Sequence, residues 1–254
     1  MPMKKPAYVI IAVLLLTVTA GAKIPKQRLT VGTVPYNPPM EMMGDEKQIT
    51  GFDIDVMNLI ADRQKLSVSF VPVLKENIYR GLVDGTYDIA ISSITLTAAT
   101  SLPEFTKLNF SAPYLEIGDV VVVSEDFASY TGPRSLEGKP VGVLRDGESA
   151  VLLKKEYGAL VKVYDGIEAA FEDMARGAIE AIACPLPAAS RMVHLNEEYR
   201  GIFRIDPQPL TVARYVIAVR KDDIELLSRI NAGISQVSEN GSLHELIADR
   251  FFTR

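Results

Sequence analysis

Apolar and polar residues between positions 29 and 93 alternate first at the spacing of a strand and then at the spacing of a helix. Residues 29–34 are predicted to form a strand, and Phe52, Val56 and Ile60 recur every four residues, which places them on one helical face. A strand, a short helix and a second strand follow at 67–73, 76–85 and 87–93. The order β-α-β-α-β predicts a parallel sheet covered by helices.

A second series with the same alternation follows the turn-rich segment 129–140. Strands are predicted at 141–143, 161–164 and 181–184, and helices at 149–157 and 166–177. Ile167, Phe171 and Met174 are expected to face inward from the second of these helices. Two further amphipathic helices, at 223–237 and 242–252, need a core to cover. The chain therefore contains two α/β units.

The first 22 residues have the composition of a cleavable signal peptide. Lys4 and Lys5 precede an apolar run at 7–18, and residues 20–22 (AGA) have the small-x-small pattern of a cleavage site. The alternative is a membrane anchor, but the run is shorter than the about 20 residues that a spanning helix needs. A lipid anchor is not expected either, because no cysteine lies near Ala22. We predict cleavage after Ala22 and export to the periplasm.

Composition and charge exclude several classes of function. The chain of 254 residues has a formal net charge of −5, which becomes −7 when Lys4 and Lys5 are removed with the signal peptide. An acidic chain without a basic run is a poor partner for nucleic acid or an anionic membrane. The lone Cys184 permits no internal disulfide. Because His194 and His244 lack neighbours at ligand spacing, and no GxSxG, HExxH or P-loop motif occurs, we expect no metal, no cofactor and no catalytic residues.

Six segments follow one another in a recognisable order. They are ITGFDIDVMNLIA (49–61), GLVDGTYDIAISSITLT (81–97), LNFSAPYLEIGDVVVV (108–123), SLEGKPVGV (135–143), GIEAAFEDMARGAIEAI (166–182) and SENGSLHELIADRFF (238–252). In this order they resemble the extracellular solute-binding protein family 3, the amino-acid receptors of ABC importers and relatives of the glutamine-binding protein. The resemblance covers about residues 29–252.

The resemblance implies an α/β fold with two lobes, the periplasmic-binding-protein or Venus-flytrap fold, in which two hinge crossings join the lobes and the ligand binds between them. Lobe 1 would comprise residues 27–119 together with the return crossing and helices at 211–254, and lobe 2 residues 120–210. The crossing strands would be 120–123 and 214–219. The family further implies a monomer that is not an enzyme and that delivers a small-molecule solute to a membrane permease.

The resemblance also points to candidate ligand-binding residues. Ser93 and Thr95 match the family positions whose hydroxyl and backbone groups bind the ligand carboxylate, in the hydroxyl-rich stretch 91–105. Tyr36 or Asn37 takes the role of the first loop. The alternative for Thr95, and equally for Thr97, is that it caps the next helix.

Two charged groups that the family uses to hold an amino acid are missing. The position of the carboxylate-binding arginine is Thr100, and counting back from NFSAPY instead reaches Glu104. The position of the ammonium-binding aspartate is Pro185, which offers neither charge nor N–H.

Other charged residues are candidate replacements. Lys75 stands where relatives tend to have an aromatic wall, and Arg145 and Glu148 stand at a helix N-terminus that resembles an anion cradle. Lys107 is a further candidate cation. The alternative for Lys75, Arg145 and Glu148 is that they are solvated surface charges.

The sequence therefore predicts a periplasmic receptor that delivers a small polar solute to an ABC importer. With the hydroxyl-rich wall near Lys75, a neutral or singly anionic solute is favoured, and ordinary α-amino acids are expected to bind weakly. The alternatives are a sensory or partner-binding protein of the same fold, a receptor whose second lobe no longer closes, and a lyase of the cyclohexadienyl dehydratase type. The lyase would need a carboxylate general acid in the lobe 2 cleft, and CPLPAAS (184–190) has none.

Overall fold

The computed structural model describes residues 28–44, 47–145 and 149–252. The predicted signal peptide and Glu148 lie outside these residues. No helix within the described ranges has the length and apolar character to cross a membrane.

Fifteen strands and eight α-helices make up the described fold. The strands are β1 (Leu29–Thr33), β2 (Tyr36–Asn37), β3 (Glu41–Met43), β4 (Ile49–Thr50), β5 (Val68–Pro72), β6 (Ile89–Ala90), β7 (Leu108–Phe110), β8 (Leu115–Glu116), β9 (Asp119–Ser124), β10 (Pro140–Leu144), β11 (Leu160–Tyr164), β12 (Ala181–Pro185), β13 (Phe203–Ile205), β14 (Arg214–Tyr215) and β15 (Ala218–Arg220). The helices are α1 (Phe52–Gln64), α2 (Ile78–Val83), α3 (Leu96–Thr100), α4 (Ser149–Glu156), α5 (Ile167–Ala175), α6 (Leu186–Ser190), α7 (Ile224–Glu239) and α8 (Ser242–Phe251).

Two five-stranded sheets, each with its own helices, form the two lobes that the sequence predicts. The first sheet has the strand order β5-β1-β6-β15-β7, and the second has the order β11-β10-β12-β9-β13. Both sheets have three parallel strands, with β1 between β5 and β6, and β10 between β11 and β12. In each sheet a crossing strand, β15 or β9, runs antiparallel to these three. The predicted fold class is confirmed.

The chain passes between the two sheets twice. It leaves the first sheet after β7 and enters the second at β9, and it returns from β13 to β15. Between the sheets, β8 pairs with β14 in a two-stranded ribbon, across which Arg214 Nε lies 2.9 Å from Glu116 Oε1.

The first crossing lies earlier in the chain than the sequence predicted. Residues 120–123, expected to cross, lie inside β9 and pair with both β12 and β13 in the second sheet. All four valines are fully buried, because this strand has a neighbour on each side and core on both faces. The predicted second crossing at 214–219 is divided between β14 and β15.

The helical faces predicted from spacing are buried as expected. Phe52, Val56 and Ile60 of α1 lie in the core. The two C-terminal helices cover α1, and the approach is close, since a Cβ added at Gly233 of α7 would lie 2.7 Å from the side chain of Ile60. In the second lobe the inward positions of α5, Ile167, Phe171 and Met174, are buried.

Candidate functional site

A cavity of about 970 Å³ opens at the carboxyl ends of the parallel strands of the first sheet. Its lining includes Val34, which follows β1, Leu74, which follows β5, and residues 92–95, which follow β6. Open α/β sheets bind ligands at this edge, where the strands end and the chain turns into loops and helices. We therefore take this cavity as the candidate ligand site.

Five of the predicted site residues line this cavity and three do not. Tyr36, Asn37, Lys75, Ser93 and Thr95 belong to its lining. The three described residues outside it are Thr100, Arg145 and Pro185. Glu148 lies outside the described residues.

Thr95 lies at the predicted site and also forms the helix cap that the sequence offered as the alternative. It lines the cavity and is also the N-cap of α3, where its Oγ1 accepts a 3.4 Å hydrogen bond from the backbone N–H of Ala98. The Thr100 hydroxyl donates a 2.7 Å hydrogen bond to the backbone oxygen of Thr97. The Thr100 hydroxyl is therefore held within α3, away from the cavity.

The loop after β6 is held in place by hydrogen bonds of its serines. Ser93 has a positive φ of 49°, and its Oγ accepts a 2.9 Å hydrogen bond from Asn37 Nδ2 and donates to Glu41 Oε1 at 3.1 Å. Ser92 Oγ accepts a hydrogen bond from the N–H of Val34 at 3.0 Å. Much of the hydrogen-bonding capacity of these hydroxyls is therefore used inside the protein rather than offered to a ligand.

Beneath Ser93 lies a pair of buried carboxyl groups, Glu41 of β3 and Asp53 of α1. Asp53 Oδ2 accepts a 2.7 Å hydrogen bond from the Ser93 N–H, and Asp53 Oδ1 accepts one of 2.7 Å from the Tyr114 hydroxyl. Both carboxyl side chains have 0% solvent exposure, yet Glu41 is part of the cavity lining. The pair therefore forms the floor of the cavity.

Burial raises the pKa of both carboxyl groups, so that the folded pair favours holding a proton. Burial, and then the charge of Asp53, raise the pKa of Glu41 to about 11, although hydrogen bonds from Ser93 and Ser92 oppose this shift. Burial also raises the pKa of Asp53, against hydrogen bonds from Glu41, Ser93 and Tyr114. With three donors directed at it, Asp53 is the better site for the negative charge. We assign the proton to Glu41.

The sequence did not single out this carboxyl pair. Glu41 lies in a three-residue strand, and Asp53 occupies the first helical turn, where an acidic residue ordinarily interacts favourably with the helix dipole. The one available signal was that Asp53 stands between apolar residues of α1 that the helical spacing predicts to be buried.

Carboxyl groups outnumber cations in the cavity wall. Glu41, Glu76 and Glu104 line it, and Lys75 is the one basic residue in the described lining. Glu104, reached by the second of the two counts for the missing arginine, thus brings a negative charge to the site. Lys107 is not part of the lining.

The carboxyl edge of the second sheet carries the remaining predicted residues. Arg145 follows β10 and forms an ion pair with Asp165. Pro185 ends β12 and pairs in register with Asp119, the first residue of β9. Ser149 begins α4, and its buried hydroxyl has no hydrogen-bond partner within the described part of the chain.

Comparisons with known proteins agree with the fold. The model of the bacterial extracellular solute-binding proteins, family 3, matches residues 29–254. The "ABC transporter arginine-binding protein 1" of Escherichia coli (strain K12) is 25% identical over 250 residues, which cover 96% of this chain and 98% of that protein. The "L-arginine-binding protein" of Pseudomonas aeruginosa is 27% identical over 233 residues, covering 88% and 87%.

Solved structures show the same architecture. Substrate-binding domain 2 of Lactococcus lactis GlnP, in an open conformation, superposes with a TM-score of 0.79 at 23% identity, covering 91% of this chain and 97% of that one. An ancestral cationic amino acid solute-binding protein, AncCDT-1, superposes with a TM-score of 0.68 at 27% identity, covering 88% and 95%.

Proposed function

The chain belongs to the bacterial extracellular solute-binding proteins, family 3, and from that premise we propose that it is the receptor of an ABC importer for a small cationic solute. The family consists of binding proteins, which agrees with the prediction that the chain is not an enzyme. The observation that carries the ligand class is the cavity wall, in which Glu76 and Glu104, above the negative charge of the buried Glu41–Asp53 pair, face a single lysine.

A wall of this kind favours a positively charged ligand for a simple electrostatic reason. Carboxylates that line a cleft between low-dielectric walls focus a negative potential, which attracts cations and repels anions. Glu76 is exposed and Glu104 is half-buried, so that both remain accessible to a ligand. The names of the arginine-binding relatives and of the ancestral cationic amino acid protein point in the same direction.

This proposal departs from the neutral or singly anionic solute favoured by the sequence. That preference was based on the hydroxyls of Ser93 and Thr95 and on the charge of Lys75. The Ser93 hydroxyl is already bonded to Asn37 and Glu41, and three glutamates join the lining. The prediction that no arginine holds a ligand carboxylate still applies, because Lys75 is the single cation of the described lining.

The proposal predicts a marked selectivity for charge. Arginine, and agmatine, which is arginine without its carboxylate, should bind at least about 30-fold more tightly than glutamine or glutamate, since a missing charge partner at a binding site costs about 2 to 5 kcal/mol. Agmatine should bind within about tenfold of arginine, because no arginine holds the carboxylate. Isothermal titration of the mature protein with the four ligands measures both ratios.

Variants of the wall provide a control for this titration. Replacing Glu76 and Glu104 together by Gln should weaken arginine and agmatine alike, whereas Glu156→Gln, exposed on α4 and outside the cavity lining, should leave both affinities unchanged. Glutamate binding as tightly as arginine would contradict the cationic assignment.

For the organisation of the receptor, we propose lobe 1 at 27–118 and 211–254, lobe 2 at 119–210, one residue earlier than the sequence predicted because Asp119 begins β9, and a monomer that docks on a membrane permease. We propose a periplasmic location after cleavage behind Ala22. The mature protein should then begin at Lys23 and appear in the soluble periplasmic fraction, which intact-mass spectrometry checks. Recovery with Met1 in place, or in membranes alone, would rule this out.

A further inference from the structure

Asp119 is a buried carboxylate at the point where the chain enters the second sheet. The residue is 7% exposed, its backbone N–H donates to Thr211 Oγ1 at 2.9 Å, and its backbone oxygen accepts from the Leu210 N–H at 2.7 Å. These two bonds tie it to the return crossing and fix its backbone. Within the described ranges, its side-chain oxygens take part in no hydrogen bond or ion pair.

The position of Asp119 in the second sheet places its side chain at the edge where ligands bind. Asp119 pairs with Pro185, the last residue of the parallel strand β12, and therefore lies at the carboxyl edge. Side chains alternate along a strand, so Asp119 shares a face with Val121, which packs in one cluster with Leu153 of α4. Helix α4 begins at this edge with Ser149, whose hydroxyl is also buried without a described partner.

Tyr215 connects Asp119 with the cavity of the first lobe. Burial, followed by the charges of Asp53, Asp119 and Glu41, raises the pKa of Tyr215, so that its phenol lies within electrostatic range of all three carboxyl groups. Tyr215 also forms a backbone bridge with Thr95 of the cavity lining. The backbone of Tyr215 thus joins the cavity lining, while its phenol is influenced by the charge of the second-sheet carboxylate.

Burial of a carboxylate without a cation is unfavourable, and the cations at this end of the molecule have other partners. Arg214 forms an ion pair with Glu116, and Arg145 forms one with Asp165. A carboxylate in such a position is stabilised when a cation from outside the chain reaches it.

We propose that Asp119 binds the cationic nitrogen of the ligand, an ammonium or guanidinium group, from the side of the second lobe. This inference rests on the proposed function. Pro185, which the resemblance places at the ammonium position, has no charge of its own, and Asp119 supplies one from the directly opposite position of the neighbouring strand, where paired Cβ atoms lie about 5 Å apart.

The test compares three ligands on three proteins. The ligands are arginine, citrulline, which lacks the guanidinium charge, and 5-guanidinopentanoate, which lacks the ammonium group. The proteins are the wild type, Asp119→Asn, and the control Asp126→Asn, an exposed aspartate of the same lobe. Thermal unfolding of each protein checks that the substitutions leave the fold intact.

We expect Asp119→Asn to weaken arginine binding at least about 30-fold and Asp126→Asn to leave it unchanged. In the wild type, arginine should bind more tightly than the analogue that lacks the group held by Asp119. In Asp119→Asn this ratio of affinities should fall towards 1, because that group has lost its partner. An equal loss for all three ligands, or arginine affinity within threefold of the wild type, would overturn the inference. A wild type that binds neither arginine nor agmatine would overturn the proposed function, and this inference with it.

Discussion

Glu41→Gln is expected to remove most of the pH dependence of folding stability between pH 5 and pH 8. In the folded protein the pKa of Glu41 is raised from 4.5 to about 11, chiefly by burial. Above pH 4.5 the unfolded chain releases this proton while the folded protein keeps it. The stabilisation by this group is therefore complete below the unfolded pKa and is lost as the pH rises towards the folded pKa.

The size of the effect follows from linkage between protonation and folding. One proton bound only by the folded state changes the free energy of unfolding by about 1.4 kcal/mol per pH unit, or about 4 kcal/mol from pH 5 to pH 8. Glutamine has the same shape, can donate to Asp53 and accept from Ser93, and does not titrate. The stability of the variant relative to the wild type should therefore increase as the pH rises.

Urea denaturation of both proteins at pH 5, 6, 7 and 8 measures this difference. Glu156→Gln, which replaces an exposed glutamate of α4, is the matched control and should follow the wild-type curve. If the free energies of unfolding of Glu41→Gln and the wild type changed in parallel with pH, Glu41 would be ionised in the folded protein. The cavity floor would then hold no proton at neutral pH.

Gly51→Ala should destabilise the protein by about 3 kcal/mol. Gly51 is the N-cap of α1, with φ 131° and ψ 177°, a region of backbone conformation that is essentially restricted to glycine. A Cβ at this position would lie 2.3 Å from the backbone oxygen of Met40 and 2.7 Å from its carbonyl carbon. Because the obstacle is backbone, no side-chain rotation relieves the clash.

The same substitution should also weaken ligand binding. Relief of the clash would displace Met40, which precedes Glu41, or Gly51, which lies two residues before Asp53, and these two carboxyl groups form the cavity floor. Gly166→Ala is the matched control, since Gly166 is likewise a helix N-cap but has an ordinary extended φ of −136°. A Cβ added there would lie 3.5 Å from Glu168 Oε2, which is an ordinary contact distance. It should change the free energy of unfolding by no more than about 0.5 kcal/mol. Equal effects of the two substitutions in chemical denaturation would refute the steric argument.

Local spacing was sufficient to predict the helical faces and the two α/β units. Phe52, Val56 and Ile60 are buried as their period of four predicts, because a helix places such residues on one side whatever it packs against. Residues 120–123 show the limit of this reasoning. An unbroken run of valines indicates a strand buried on both faces, but the run itself does not specify the sheet to which it belongs.

The sequence by itself determined the family, the two-lobed fold and the position of a hydroxyl-rich loop at a strand end, because these depend on local patterns and on the order of segments. Only the tertiary structure decided the chemistry of the cavity. Glu41 and Asp53 meet through the hairpin of β3 and β4, and Asp119 meets Pro185 through pairing of β9 with β12. Burial and pKa are properties of such neighbours, and residues distant in sequence become neighbours only when the chain has folded.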